Sequence, residues 1–287
     1  MTYLALAVTM LFLTGQNIVK EQYNKKCKGG TYFFTSVCAL FAMLFFASAN
    51  RVWHLDPVFL LPAGGFALSY AVATIGSLLA IKHGELATTS LILSYSLLIP
   101  TFYGLIFLGD EVSPFLVIGL ILVAISLFLT NYKKQDKQAE KKKFSWVWLL
   151  FLVLGFLGNG MCTVVQKAAQ NTYGNESIYL IMLLALGLVS GSMLIFSFAT
   201  KERAFRGEPL KKGWYLALGC GVMNGAVNLL VIFLNPRLAP SVLYPLLSAG
   251  SLIFVFLYSR FLLKEKFTPM QYVGFFAGVA SVVFLNL

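Results

Sequence analysis

Residues 100–131 read PTFYGLIFLGDEVSPFLVIGLILVAISLFLTN, and residues 255–286 read VFLYSRFLLKEKFTPMQYVGFFAGVASVVFLN. At an offset of 155 they pair Tyr103 with Tyr258, Asp110 with Glu265, Pro114 with Pro269, Gly119 with Gly274, Ser126 with Ser281 and Asn131 with Asn286. The same offset runs back without a gap to Phe59 and Trp214. It adds Gly64 with Gly219, Ala71 with Ala226, Val72 with Val227, Lys82 with Arg237 and Ser96 with Ser251. Apolar helices match one another readily, so the apolar identities carry little. The coincidence of Gly, Pro, Tyr, Asn and charge in one register means that the chain is a duplication.

Composition says where that duplication lives. The 287 residues are 59% hydrophobic and 11% charged, with a mean hydropathy of +0.80. Charged residues make up about a quarter of a soluble globular chain. The sequence therefore predicts an all-α integral membrane protein. A helix needs about 20 apolar residues, within roughly 17–25, to cross the hydrocarbon core. Ten segments qualify: Thr2 to Val19, Thr31 to Ala49, Pro57 to Ile81, Glu85 to Gly109, Phe115 to Tyr132, Trp146 to Val165, Ser177 to Ala199, Trp214 to Leu234, Pro240 to Leu263 and Pro269 to Leu287. The first lacks a basic n-region and a small-residue cleavage motif, so it reads as a retained helix. Connections between spans are short and leave no room for a separate catalytic head.

Ten spans divide into a first five-helix repeat over 1–132, a basic linker over 133–145 and a second five-helix repeat over 146–287. Five is odd, so the second copy enters from the opposite side of the membrane. The expected architecture is ten transmembrane helices as two inverted five-helix repeats. Such repeats build alternating-access carriers with a substrate site near the midplane at the repeat interface.

The net charge of +11 would suggest nucleic acid in a soluble protein, but in a membrane protein Lys and Arg collect in cytoplasmic loops. Of the 22 basic residues, 19 follow odd-numbered spans and 3 (Arg51, Lys167 and Arg237) follow even-numbered ones. That asymmetry places both termini outside and the Lys133 to Lys143 run, KKQDKQAEKKK, in the cytoplasm. Trp53, Trp146, Trp148 and Trp214 stand at or just outside span ends, as interfacial anchors do. Cys27, Cys38, Cys162 and Cys220 show no metal-ligand spacing. No cofactor, metal or nucleic-acid partner is expected, and the oligomeric state is open. The expected partners are a small-molecule substrate and membrane lipid, in the inner membrane of a bacterial cell.

Two longer stretches, AIKHGELATTSLILSYSLLIPTFYGLIFLGDEVSPFLVIG and LSAGSLIFVFLYSRFLLKEKFTPMQYVGFFAGVASV, resemble the EamA-like half-domain of the drug/metabolite transporter superfamily. In that half-domain the fourth helix ends in Gly-Glu, an apolar residue, Thr or Ser and a turn, and the fifth opens on Gly. Glu265, Thr268, Pro269 and Gly274 fit in the second half; Asp110, Ser113, Pro114 and Gly119 fit in the first. The resemblance implies a carrier of two five-helix halves spanning the whole chain. Small four-helix multidrug carriers similar to this family use a carboxylate in their first helix, and the first span here, TYLALAVTMLFLTGQNIV, has no acid. That argues against proton-coupled export of lipophilic cations by such a carboxylate.

Every Asp, Glu, Lys, Arg and His falls in a loop or near a span end, so the sequence expects no charge deep in the membrane. Lys167 and Arg237 read as residues snorkelling to lipid phosphate. Lys82 and Arg237, though repeat mates, fall on opposite faces by the inversion and cannot clamp one anion together. Neutral polar residues do occupy the spans. Asn224, Asn228 and Asn235 recur at i, i+4 and i+11, one stripe of the eighth span. The third span carries Tyr70, Thr74 and Ser77 on a stripe, with Ser69 as the repeat mate of Asn224. The fourth offers Ser90, Ser94, Tyr95 and Thr101; the ninth offers Ser241, Tyr244, Ser248 and Ser251. Gln16, Asn17 and Asn159 come from the first and sixth.

A hydroxyl in such a position can simply bond its own helix carbonyl or a neighbouring helix. A carboxamide needs several partners and is the stronger candidate for binding. The expected substrate-binding set is Asn224, Asn228, Ser69, Tyr70, Thr74, Ser94, Tyr95, Tyr244, Ser248 and Asn159, with Ser69 and Asn224 near each other at mid-membrane depth. The GxxxG pairs Gly187/Gly191, Gly221/Gly225 and Gly274/Gly278 read as close-packing surfaces.

These features predict a secondary transporter of a small neutral, zwitterionic or aromatic metabolite. The alternative is a lipid or amphiphile flippase, alone or as one subunit. No GxxxxGK[ST] motif is present, which excludes an ATPase within the chain. An enzyme is not expected, because the only compact titratable cluster, Lys82, His83 and Glu85, reads as a polar turn between spans.

Overall fold

Backbone N–H and C=O groups find no water in hydrocarbon, so a chain this apolar must pair them within each segment. The computed structural model describes residues 1–27, 29–51, 53–83, 92–93, 95–130, 146–200, 209–261 and 268–285. Among these residues the chain is helical without a strand. Nine α-helices are present among the described residues: α1 Thr2–Lys26, α2 Thr31–Ala49, α3 Leu60–His83, α4 Leu98–Phe107, α5 Pro114–Thr130, α6 Trp146–Ala199, α7 Trp214–Leu234, α8 Pro240–Phe261 and α9 Pro269–Phe284, with short helical turns at Pro57–Phe59, Tyr95–Leu97 and Pro209–Gly213. Among the described residues six helices suffice by length and composition to cross a membrane, and three shorter apolar helices, Tyr95–Phe107, Pro114–Leu129 and Pro269–Phe284, accompany them. The predicted fourth, fifth and tenth spans extend beyond these three into positions outside the described residues.

Two boundaries differ from expectation. α1 continues to Lys26, seven residues past the predicted end of the first span, and ends where the Cys27 N–H bonds to Tyr23 O. α6 covers 54 residues, about 81 Å at 1.5 Å per residue and far more than one ~30 Å crossing needs. Its backbone breaks at Gly174, with φ 82 and ψ 173, a conformation that only glycine adopts without strain. The stretch from Gln166 to Tyr173, expected as a loop, is therefore helix running up to that break. A loop there would expose polar side chains to water, whereas the helix commits them to packing.

The chain forms two compact units, and each draws on both sequence halves. The first comprises residues 1–71 and 165–236; the second comprises 72–164 and 237–287.

In the first unit α7 packs on α1 and on α2. A Cβ built on Gly221 would lie 2.8 Å from Cys38 O, and one on Gly225 would lie 2.8 Å from the Phe45 ring. The Gly221/Gly225 pair thus sets a close α2–α7 approach, as its spacing predicts. Gly191 meets nothing within 4 Å, so the Gly187/Gly191 pair does not act alike. α2 is also tied to α6 by a reciprocal pair: Ser36 Oγ donates to Ser190 O at 2.8 Å and Ser190 Oγ donates to Ser36 O at 3.1 Å. Ala39, Ala42, Phe46, Ala185, Val189 and Ala217 form the buried centre.

In the second unit α5 packs on α9, and α4 and α9 on α8. The two motif positions Ser113 and Thr268 do the same job. Ser113 Oγ accepts from Leu116 N at 3.0 Å at the start of α5. Thr268 caps α9 in a capping box with Gln271, whose Oε1 accepts from Thr268 N at 2.9 Å. Pro114 and Pro269 follow at the first helical position, where a missing N–H costs nothing. Asp110 accepts from Ser241 N at 2.9 Å, placing a carboxylate on the N-terminal end of α8. Its repeat mate Glu265 lies outside the described residues.

Candidate functional site

The polar stripe of α7 divides into two clusters within the first unit. Asn228 Nδ2 donates to the main-chain oxygen of Asn224 at 2.9 Å and to its Oδ1 at 3.1 Å. Asn224 Nδ2 in turn donates to Gln16 Oε1 on α1 at 3.1 Å. Three carboxamides from two helices thus form one chain. Asn224 and Asn228 are half-buried and Gln16 is buried.

Asn235 belongs elsewhere. It stands eleven residues beyond Asn224, about 16 Å along a helix axis, and its Nδ2 donates to Gln170 Oε1 at 2.7 Å. Gln170 Nε2 donates to Ile232 O and to Asn175 Oδ1, each at 2.8 Å. Lys167 Nζ donates to Asn235 O at 2.6 Å, and Lys167 is only 6% exposed. Lys167 is therefore a buried cation on α6 and not a residue snorkelling to lipid. Its charge sits at the C-terminal end of α7, where unpaired carbonyls concentrate negative potential. Gln166 and Gln170 are missed by the sequence reading, and Lys167 is read there as a lipid-facing residue, because the stretch between the sixth and seventh predicted spans reads as a loop. The signal was available: Gln166 and Gln170 are spaced i, i+4 directly after an apolar span and so share a helix face.

The remaining candidates are placed separately. In the first unit Ser69 Oγ donates to Gly65 O of its own helix at 2.8 Å, and the Tyr70 ring stacks on Phe66. The Ser69 hydroxyl thus serves α3, while the Asn224 amide serves Gln16. In the second unit Asn159 Nδ2 donates to Ser96 Oγ at 2.6 Å, tying α6 to the turn before α4. Tyr95 OH donates to Ala124 O at 3.1 Å. Thr74 is half-buried on α3, and Tyr244 and Ser248 are buried on α8. Ser94 lies outside the described residues, as do Ser90 and Glu85. His83 bonds through Nδ1 to Leu79 O at 2.8 Å and stacks on Phe151.

Residues 145–287 match the EamA-like transporter family. The chain belongs to that family, within the drug/metabolite transporter superfamily. As an EamA-like protein it is a multi-pass membrane transporter of small molecules, and its family is one of transporters and not of enzymes. A solved chain described as "Crystal structure of protein" shares the EamA-like chain's fold with a TM-score of 0.76, at 11% identity, over 99% of this chain and 95% of that one. No curated protein matches closely enough to lend it a substrate.

Proposed function

We propose that the chain is a secondary active transporter that moves a small neutral, zwitterionic or aromatic metabolite by alternating access of two inverted five-helix repeats, 1–132 and 146–287, joined by the 133–145 linker. The family assignment supports transport. The repeat in register supports the duplication, and Ser113 and Thr268 cap α5 and α9 as the aligned motif requires. The break of α6 at Gly174 supports reading that long element as two spans. An odd number of helices per copy then inverts the second against the first.

The observation that carries the substrate reading is the Gln16–Asn224–Asn228 chain of amides set among apolar helices. Amides of this kind recognise uncharged or zwitterionic polar groups by direction and not by net charge. Asn224 and Asn228 are the proposed binding core, with Ser69 and Tyr70 of the same unit as the wider set. The test is counterflow in proteoliposomes screened with radiolabelled amino acids, amines and sugars. Counterflow of one class supports a metabolite carrier. Uptake of none, with scrambling of a labelled lipid, assigns the fold to an amphiphile flippase instead.

A further inference from the structure

The amide chain has a polarity, and a group that cannot be turned round sets it. Asn228 faces the main-chain carbonyl of Asn224 at 2.9 Å, and a carbonyl only accepts. The atom of Asn228 facing it must therefore be Nδ2. That same Nδ2 reaches Asn224 Oδ1 at 3.1 Å, so Asn224 is turned with its oxygen toward Asn228 and its nitrogen away. Asn224 Nδ2 must then meet an acceptor, which is Gln16 Oε1 at 3.1 Å. Each carboxamide fixes the next, and the last in line presents nitrogen. Gln16 Nε2 is buried, on a residue 4% exposed, and finds no acceptor among the described residues. An unsatisfied buried donor is costly, and turning the Gln16 amide over would only replace it with two donors facing each other.

We infer that Gln16 is a hydrogen-bond donor to the transported molecule, which presents a carboxylate or carbonyl oxygen to Gln16 Nε2. This rests on the substrate site proposed at Asn224 and Asn228 and narrows the substrate to molecules carrying such an acceptor. An amine or hydrocarbon of the same shape leaves the donor unpaired and is discriminated against.

The test uses the full-length protein in detergent, with binding read from thermal-unfolding midpoints titrated with two probe sets. One is L-phenylalanine, L-phenylalaninamide and 2-phenylethylamine; the other is L-leucine, L-leucinamide and isoamylamine. Within a set the probes differ in bearing a carboxylate, a neutral carbonyl or neither, so the amino acid and the amide separate the two acceptor types. In the wild type at least one acceptor-bearing probe binds more tightly than the amine of its set. Gln16→Met weakens that probe about tenfold and leaves the amine unchanged. Gln16→Leu, which likewise carries no donor, also loses the preference and serves where the methionine variant does not fold. Unchanged discrimination in either folded variant, or a wild type that binds no acceptor-bearing probe better than its amine, overturns the inference. If Asn228→Leu abolishes binding while Gln16→Met does not, the site stands and the role of Gln16 falls. Gln16-dependent binding without transport in liposomes has the reverse meaning.

Discussion

Lys167 Nζ lies 2.6 Å from the main-chain oxygen of Asn235 and donates to it, fastening the end of α7 to the middle of α6. Charge-assisted bonds of this kind contribute about 1.5–3 kcal/mol, and a cation at a helix C-terminus adds about 0.3–1 kcal/mol. Lys167→Glu reverses the charge against the same carbonyl and is expected to destabilise the fold by at least about 2 kcal/mol. Lys167→Met loses less, because it also removes the cost of a buried charge. Unfolding midpoints in detergent check the order wild type, Met, Glu; equal stability of all three would return Lys167 to the lipid surface.

Gly221→Ala and Gly191→Ala make a matched pair. The first drives a methyl group against Cys38 O and the Phe41 side chain, and the second meets open space. Overpacking costs about 1–3 kcal/mol, so Gly221→Ala lowers the melting temperature and Gly191→Ala does not. A reversed order would mean that α2 and α7 do not approach here.

Asn228→Leu removes the group that orients Asn224. With the substrate bound at these amides, lost hydrogen bonding of about 1–3 kcal/mol raises the concentration for half-maximal transport by a few-fold to about a hundredfold. A purely structural role instead lowers melting temperature or folded yield and leaves the affinity of the folded fraction unchanged. Measuring both quantities on each variant separates the two roles.

Ser113→Ala and Thr268→Ala delete caps at the starts of α5 and α9. Each is expected to cost about 0.5–2 kcal/mol. Thr268→Ala costs the more, because it also dissolves the reciprocal bond with Gln271. Thermal unfolding of the two variants and their double mutant checks the size and the additivity.

The charge count predicts a cytoplasmic Lys133 to Lys143 linker. A cysteine introduced there, in a chain lacking the four native cysteines, is expected to resist an impermeant thiol reagent in intact cells and to react after lysis. Rapid labelling before lysis would invert the topology.

The class of the protein was legible from local properties. Hydropathy marked the apolar segments, and the offset repeat marked the capping positions: Ser113, Pro114, Thr268 and Pro269 stand at helix starts because capping depends on the residues within one turn. The Gly221/Gly225 contact was equally readable, since small residues four apart share one helix face. Elsewhere the tertiary structure decided. Gln166, Lys167 and Gln170 look like a polar loop until α6 is seen to run on to Gly174, because hydropathy cannot tell a solvated turn from a helix that buries its polar face against a partner. Asn235 belongs by periodicity with Asn224 and Asn228, yet it bonds to Gln170 about 16 Å further along the helix. Gln16 and Asn224 are 208 residues apart in the chain, and the direction of their bond hangs on a main-chain carbonyl. Lipid-facing and helix-facing apolar surfaces have the same composition, so the sequence carries apolarity without partners; the partners follow from the rotation and offset of packed helices.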